Sequence, residues 1–328
     1  MWGRVKLPRR TFLHLVMGAP ALLAVSRIAR AQAYPARPVR LVVGFPAGGT
    51  NDIHARLIAD WLSRQFGRSF IVENRPGAAG NIGLESVVRA APDGYTLSVC
   101  GSTELRNEIL YNDLKFSFMH DTAPVASMML AMNVLVVHPA SSVRSVPELI
   151  AAAKANPDAM TVASAGVGST SHVFWELFRS MTGTRMLHVP YRGGAPALTD
   201  LLAQQVQVYF ATPADTMEYI KAGRLRALAV TGATRAQALP DVPTIGEFVP
   251  GYEAVGWLGV VAPKDTPAAI IDTLNNAINA GLADPKIKQT IADWGETVFA
   301  SSPAEFGKFL TAEHEKWGKV IRAANIKL

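Results

Sequence analysis

The sequence predicts an α/β fold of two lobes joined by two crossings of the chain. Short β-branched runs alternate with helical periodicity through most of the chain. Glycine-rich segments occupy equivalent places in its two halves, at 45–52 and 164–172, each between a strand pattern and a helix pattern. Consecutive apolar runs at 125–132 and 134–137 end one strand–helix cycle and begin another. These observations indicate one lobe inserted into the other.

The elements follow in order along the chain. In the first cycle we predict strands at 39–44, 70–73, 95–100 and 125–132, helices at 53–66 and 82–90, and a turn at 92–94. In the second cycle we predict strands at 134–137, 160–164, 187–189, 206–210 and 225–230, with helices from 145 and at 172–181, 195–203 and 214–221. A last strand at 258–261 precedes helices at 267–282, 285–294 and 303–324.

This order predicts the domain boundaries. Residues 34–132 plus 256–328 would form lobe I, and residues 133–255 would form lobe II. The crossings near Asn133 and Trp257 would act as hinges for closure. Ligands of open α/β sheets bind beyond the carboxyl ends of the strands, which is where both glycine-rich segments fall.

The first 33 residues have the pattern of an export signal. A basic start that includes Arg9 and Arg10 precedes an apolar run at 12–25 and small residues suited to cleavage between Ala31 and Ala33. The paired arginines resemble a twin-arginine signal, and an ordinary secretory signal is the alternative. Either route predicts a periplasmic protein whose leader is removed.

Removal of that leader changes the electrostatic interpretation. The chain carries 32 Lys and Arg against 26 Asp and Glu, but residues 1–33 hold six of the basic residues and no acid, which leaves 26 against 26. The remainder is formally neutral and gives no support for nucleic-acid binding. Cys100 is the single cysteine, so no intramolecular disulfide forms, and no histidine spacing predicts a metal site. We therefore expect no cofactor and no metal.

Both glycine-rich segments have the context of an anion site. A glycine loop that opens a helix presents unpaired backbone N–H groups at the positive end of the helix dipole. Because two such loops lie in separate halves of the chain, we expect a clamp that holds a small anion from both sides.

Eight segments of the sequence form a recognisable set. They read YP at 34–35 with RPVR at 37–40, VGFPAGG at 43–49, VENRPGAAGNIG at 72–83, PDGYTL at 92–97, ASAGVGS at 163–169, HVPYRG at 188–193, LRALAVT at 225–231 and LPDVPT at 239–244. In these segments the chain resembles the substrate-binding proteins of tripartite tricarboxylate transporters, the Bug family. The resemblance extends over the chain after residue 33, in the expected order.

The resemblance implies a periplasmic-binding-protein fold of the Venus flytrap, type II-like kind, and a monomeric receptor rather than an enzyme. It would take a small carboxylate and deliver it to membrane transporter subunits. The ligand contacts implied are main-chain N–H groups and hydroxyls of Phe45, Ala47, Gly48, Gly49, Thr50, Asp52, Ser102, Thr103, Ala165, Gly166, Gly168, Ser169 and Thr170. For Asp52 the alternative is electrostatic support of its own helix N-terminus.

Some residues depart from the family pattern or leave alternatives open. Arg106 in the cleft would pair with a second carboxylate, and Glu104 there would favour an amine-bearing ligand, whereas the favoured interpretation leaves both solvated on a helix surface. Trp257 would either cover the ligand or pack the hinge. Arg75 and Asn81 would line the cleft or only hold their loop, and Tyr191 and Asp215 would reach the cleft from lobe II.

Two other functions remain open from the sequence. An exported enzyme would use Ser169 with His172, or Glu104, but the chain lacks a G-x-S-x-G elbow and a placed acid to orient the histidine. A receptor that presents its ligand to a membrane kinase would have the same binding fold.

Overall fold

Two mixed β-sheets organise the part of the chain that the structure describes, which is Trp2, residues 34–111 and residues 113–327 of a computed structural model. The expected export signal at 1–33 and its cleavage site lie outside the described residues, apart from Trp2. Everything below concerns the unit Arg37–Leu328. Its strands are β1 Val39–Val43, β2 Phe70–Asn74, β3 Thr96–Gly101, β4 Thr122–Met132, β5 Val134–Val137, β6 Thr161–Ser164, β7 Leu187–Pro190, β8 Val208–Ala211, β9 Arg226–Val230, β10 Val255–Pro263 and β11 Thr297–Val298.

The helices fall between these strands as the periodicity predicts, with two additions, at 102–110 and 118–121. They are α1 Thr50–Phe66, α2 Asn81–Val88, α3 Ser102–Leu110, α4 Phe118–Asp121, α5 Val146–Ala155, α6 Thr170–Thr182, α7 Gly194–Leu202, α8 Pro213–Lys221, α9 Ala268–Ala283, α10 Pro285–Asp293 and α11 Pro303–Ala323. No described helix combines the length and the apolar character needed to cross a membrane.

In both sheets parallel strands alternate with helices. The six-stranded sheet has the order β11-β4-β10-β3-β1-β2, with β1 parallel to β2 and β3 and with β10 antiparallel to β3 and β4. The five-stranded sheet has the order β7-β6-β8-β5-β9, with β6 parallel to β7 and β8. Carboxyl ends of parallel strands meet at one edge of a sheet, so each sheet presents three strand-to-helix loops together.

The chain passes directly from one sheet to the other at Asn133, the single residue between β4 and β5. Its N–H donates to Thr231 Oγ1 at 2.8 Å, and the Thr231 N–H donates back to the Asn133 carbonyl at 2.9 Å. The return passage at 231–254 is therefore hydrogen-bonded to the outward one. Trp257, expected at this hinge, lies inside β10.

The C-terminal helix α11 packs against the cores of both sheets. Near its start, Phe306 and Leu310 join Trp257 in the core of the first sheet. Near its end, Trp317 and Ile321 belong to the core of the second sheet. The division into two lobes at 133 and 255 remains a prediction, but any closure between them must accommodate this shared helix.

Candidate ligand-binding site

A cavity of about 560 Å³ lies between loops that follow the carboxyl ends of parallel strands in both sheets. The part from the first sheet and α3 comprises Phe45, Ala79, Thr103, Asn107, Leu110 and Tyr111, and Asn133 comes from the connection between sheets. The part from the second sheet comprises Ala165, Gly166, Val167, Gly168, Ser169, Thr170, Ser171, Gly194, Tyr209, Phe210, Thr212 and Asp215. Parallel strands of both sheets thus end at one pocket.

The second glycine loop lies within this pocket, but its N–H groups are less available than the sequence suggests. Gly166 and Gly168 have φ values of 133° and 75°, which only glycine adopts at little cost. The Gly168 N–H donates to His172 Nδ1 at 3.1 Å, and the Ala165 N–H donates to Ser171 Oγ at 2.9 Å. Side chains of the next helix therefore satisfy part of the expected anion cradle.

The donors left at this end come from the first turn of α6. Within the described residues, the first backbone hydrogen bond of this helix is donated by the Val173 N–H to the Ser169 carbonyl at 3.0 Å. The N–H groups of Thr170 and Ser171 precede it at the positive end of the helix dipole. Thr170 Oγ1 accepts a hydrogen bond from Arg106 Nη2 at 3.1 Å, so its own proton can be donated into the pocket.

The first glycine loop is held in the same manner by Asp52. The Gly48 N–H donates to Asp52 Oδ2 at 2.8 Å, and Asn74 Nδ2 and Arg56 donate to the same carboxylate. The hydrogen bond from Arg56, together with those from Gly48 and Asn74, lowers the pKa of Asp52 to about 2. Asp52 is 2% exposed, so its carboxylate is engaged in structure, which was the alternative interpretation of this residue.

Phe45 is the part of the first loop that lines the pocket. The other contacts expected in that loop do not line the pocket; they are Ala47, Gly48, Gly49, Thr50 and Asp52. Ser102, expected from α3, does not line it either. Residues 47–50 are exposed to solvent. Ser102 is buried, and its Oγ accepts a hydrogen bond from the backbone N–H of Trp257 at 2.9 Å. Their role as ligand contacts remains a prediction.

One face of α3 forms a wall of the pocket that the sequence interpretation largely missed. Thr103, Asn107, Leu110 and Tyr111 follow the i, i+4, i+7, i+8 spacing of one helix face. Asn107 Nδ2 donates to the Ala79 carbonyl at 2.8 Å, which holds this wall to the neighbouring loop. The sequence interpretation placed this helix at the solvent surface and therefore did not consider its face as part of the pocket.

The favoured interpretation of Glu104 and Arg106 as solvated is wrong, because they are 2% and 0% exposed. Glu104 Oε2 accepts the Gly101 N–H at 3.0 Å, and burial raises its pKa to about 7. Burial lowers the pKa of Arg106 to about 10, and its guanidinium lies 5.8 Å from the ring of Trp317. Neither lines the pocket in the described structure, so Arg106 acts on it through Thr170.

A stacked histidine pair supports the second loop from behind. The rings of His172 and His188 lie 4.0 Å apart and 4° from parallel, and His188 Nε2 is 2.7 Å from Ser164 Oγ. Burial, and then the neighbouring His172, lower the pKa of His188 to about 4, so it is neutral near pH 7. Ser169 Oγ donates to the Gly166 carbonyl at 2.6 Å and caps α6. This arrangement does not make Ser169 and His172 a nucleophile–base pair.

Of the remaining candidates, one lines the pocket and the others lie elsewhere. Asp215 lines the pocket as expected, whereas the Tyr191 hydroxyl donates to Asp200 at 2.6 Å. Trp257 neither covers the pocket nor packs the hinge: it is 2% exposed among aromatic rings of the first sheet's core. Arg75, directly after β2, pairs with Glu73 of that strand at 2.6 Å and does not line the pocket.

The comparisons with known proteins agree with this architecture. The family model described as "Tripartite tricarboxylate transporter family receptor" matches residues 54–326. Protein BugT of Bordetella pertussis is 35% identical over 301 residues, which are 91% of this chain and 92% of BugT.

Two solved structures are similar over nearly their whole length. The R. palustris protein Rpa4515, solved with adipate, is 36% identical with a TM-score of 0.78, covering 90% of this chain and 99% of that protein. The periplasmic binding protein BugD is 32% identical with a TM-score of 0.74 over 90% of this chain and 99% of BugD. This chain therefore belongs to the tripartite tricarboxylate transporter receptor family.

Proposed function

We propose that this protein is a periplasmic receptor that binds a small carboxylate between its two lobes and delivers it to a tripartite tricarboxylate-type transporter. The observation that carries the proposal is the pocket at which parallel strands of both sheets end, lined by hydroxyl and amide donors at a helix N-terminus. The family is one of receptors, and the related structure solved with adipate makes a carboxylate the ligand class to test. We also propose that the leader at 1–33 is removed and that the receptor is a monomer.

The proposed ligand contacts are those expected residues that line the pocket. They are Phe45, Thr103, Ala165, Gly166, Gly168, Ser169 and Thr170. A carboxylate oxygen placed before α6 would accept from the Thr170 hydroxyl and the first N–H groups of that helix. The buried charge of Arg106 behind Thr170 would strengthen the interaction, because charge-assisted hydrogen bonds are stronger than neutral ones.

A thermal-shift screen of carboxylates tests this function. A ligand that binds only the folded state stabilises it by about 2.7 kcal/mol at 100 times its Kd, which raises the melting temperature. We expect one or more mono- or dicarboxylates, amino acids or aromatic acids to give a concentration-dependent rise. Recovery of the unchanged ligand after incubation would also argue against an enzyme. A broad screen without any shift at millimolar concentrations would contradict the proposal.

Thr103→Val tests the pocket itself, since valine keeps the shape of threonine and removes its hydroxyl. Loss of one hydrogen bond to a charged ligand group costs about 1.5–3 kcal/mol, so we expect the Kd of the best carboxylate to rise about tenfold or more in isothermal titration calorimetry. Thr199→Val, on the exposed side of α7, is the matched control and should leave the Kd unchanged. Equal affinities for Thr103→Val and the wild type would exclude this hydroxyl as a contact.

A further inference from the structure

Charge is distributed unevenly around the pocket. Among the described residues that line it, Asp215 is the single side chain with a formal charge, and lysine, arginine and histidine are absent from that lining. Asp215 lies in the first turn of α8, where the helix dipole offsets part of its charge. Within the described residues its carboxylate accepts no hydrogen bond and joins no ion pair, and the side chain is exposed.

The chain makes room for this carboxylate at Gly194, the first residue of α7. A Cβ atom at that position would lie 2.7 Å from Asp215 Oδ2 and 3.2 Å from the Tyr209 hydroxyl oxygen. Any larger residue would therefore displace both oxygens. Burial and the negative charge of Asp215 raise the pKa of the Tyr209 hydroxyl well above its usual range. The acid thus lies against the pocket wall, beside the Tyr209 hydroxyl.

Asp215 and Arg106 flank the second glycine loop from different sides. Gly194 lies against Asp215, and the residue before it contacts the loop. The Gly193 N–H donates to the Ala165 carbonyl at the start of the loop, at 3.1 Å. Arg106 donates to Thr170 at the end of the loop. The pocket therefore has a donor-rich side with a cation behind it and, elsewhere in its lining, one exposed acid.

We propose that Asp215 selects, among carboxylates, those that also carry a protonated amine. This inference rests on the proposed carboxylate-receptor function. The ligand carboxylate would bind the donors at the start of α6, and its ammonium group would lie near Asp215 and the Tyr209 hydroxyl. A second carboxylate in that place would face a negative charge with no compensating cation among the described lining residues. The preferred ligand class is therefore an amino acid, and simple dicarboxylates are disfavoured.

Four six-carbon acids separate these possibilities: caproate, adipate, ε-aminocaproate and norleucine. They share a chain length and differ in whether the group beyond the first carboxylate is absent, anionic or cationic. For the wild type near neutral pH we expect at least one of the two amino acids to bind about tenfold more tightly than adipate, the scale of one screened charge pair at close range. Affinities would be measured by isothermal titration calorimetry at low ionic strength, because salt screens exposed charges.

Asp215→Asn keeps the size and hydrogen-bonding capacity of the side chain and removes its charge. We expect the amino-acid preference to fall about tenfold and binding of caproate to change little. Glu218→Gln is the matched control, because Glu218 lies on the same helix, pairs with Lys221 at 3.9 Å and does not line this pocket. It should leave the preference as in the wild type. Melting temperatures of both variants would verify folding.

The outcomes are distinct. A wild-type preference for an amino acid that Asp215→Asn abolishes and Glu218→Gln retains supports the inference. Adipate binding as tightly as the amino acids, with no effect of Asp215→Asn, overturns the inference and leaves the carboxylate-receptor function standing. Failure of all four acids, and of the wider carboxylate screen, overturns the proposed function and this inference with it.

Discussion

At the scale of the residue, two ionisable side chains on one turn of α3, Glu104 and Arg106, are buried rather than exposed to solvent. Glu104 is stabilised by the Gly101 N–H, and Arg106 by Thr170 and the face of Trp317. Arg106 Nε and Nη1 are buried without a hydrogen-bond partner in the described structure. Burial of a charge is costly unless other charges offset it. For Arg106 the negative charges of Glu313 and Glu104 do so in part, because both raise its pKa against the lowering caused by burial.

Glu104→Gln should change the pH dependence of stability. The pKa of Glu104 is about 7 in the folded protein against 4.5 for the ordinary group. The folded state therefore binds more protons between these values, so stability is full below pH 4.5 and falls as the pH rises through 7. Glutamine keeps an acceptor for Gly101 and does not titrate. The wild type should therefore lose on the order of 3 kcal/mol of unfolding free energy as the pH rises across this range, and Glu104→Gln should not.

The measurement is the difference in unfolding free energy between wild type and Glu104→Gln, from denaturant titrations across this pH range. The difference is needed because His188, whose pKa is lowered to about 4, makes the folded state more stable as the pH rises from that value. A difference independent of pH would contradict the raised pKa of Glu104.

At the scale of the element, both glycine loops are locked by the helix that follows them. In each, a glycine N–H donates to a side chain four residues later, Gly48 to Asp52 and Gly168 to His172. The side chain and the loop belong to one short segment, so this lock forms locally. It fixes the loop against the helix N-terminus before any ligand binds, which reduces the ordering cost of binding.

Asp52→Ala tests the lock of the first loop. It removes the acceptor for Gly48, Asn74 and Arg56, and we expect a loss of about 1–2 kcal/mol of unfolding free energy. Asp60→Ala on the same helix is the control, since Asp60 is exposed and pairs with Arg64, and it should cost less than about 0.5 kcal/mol. Chemical denaturation at neutral pH compares them, and equal costs would mean that the lock contributes nothing.

At the scale of the whole molecule, α11 connects the two cores. Trp317 is fully buried, stacks on Phe174 of α6 at 5.4 Å, and its Nε1 donates to Glu313 at 2.7 Å. The same ring lies beneath Arg106. A residue near the end of the chain therefore supports the loop and the charge that form the donor-rich side of the pocket.

Trp317→Ala should destabilise the whole protein and not only its C-terminus. Replacement of a large buried aromatic by alanine costs about 3–5 kcal/mol. Lys319→Ala, an exposed position on the same helix, should cost less than about 0.5 kcal/mol. Thermal unfolding followed by circular dichroism would show a large fall in melting temperature only for the tryptophan variant. A small fall would mean that α11 is not a shared part of the two cores.

Much of the pocket could be predicted because its signals are local. The alternation of strands and helices and the placement of glycine loops at strand ends lead to Phe45 and to residues 165–170. The strand and helix predicted around 206–221 have the same context, so the end of that strand could have pointed to Tyr209 and Thr212 as well. The prediction that was wrong concerns the segment 102–110. Its charged residues suggested a solvated helix surface, whereas Glu104 and Arg106 are buried.

The sequence by itself determined the fold class, the two glycine loops and the family, because periodicity and turn chemistry depend on neighbouring residues. Only the tertiary structure decided which loop groups remain available to a ligand, that Arg106 is buried behind Thr170, and that Asp215 stands exposed in the pocket. Burial and charge pairing depend on segments far apart in the chain, such as Arg106 and Trp317. No local pattern records those contacts, and they set the electrostatics of the site.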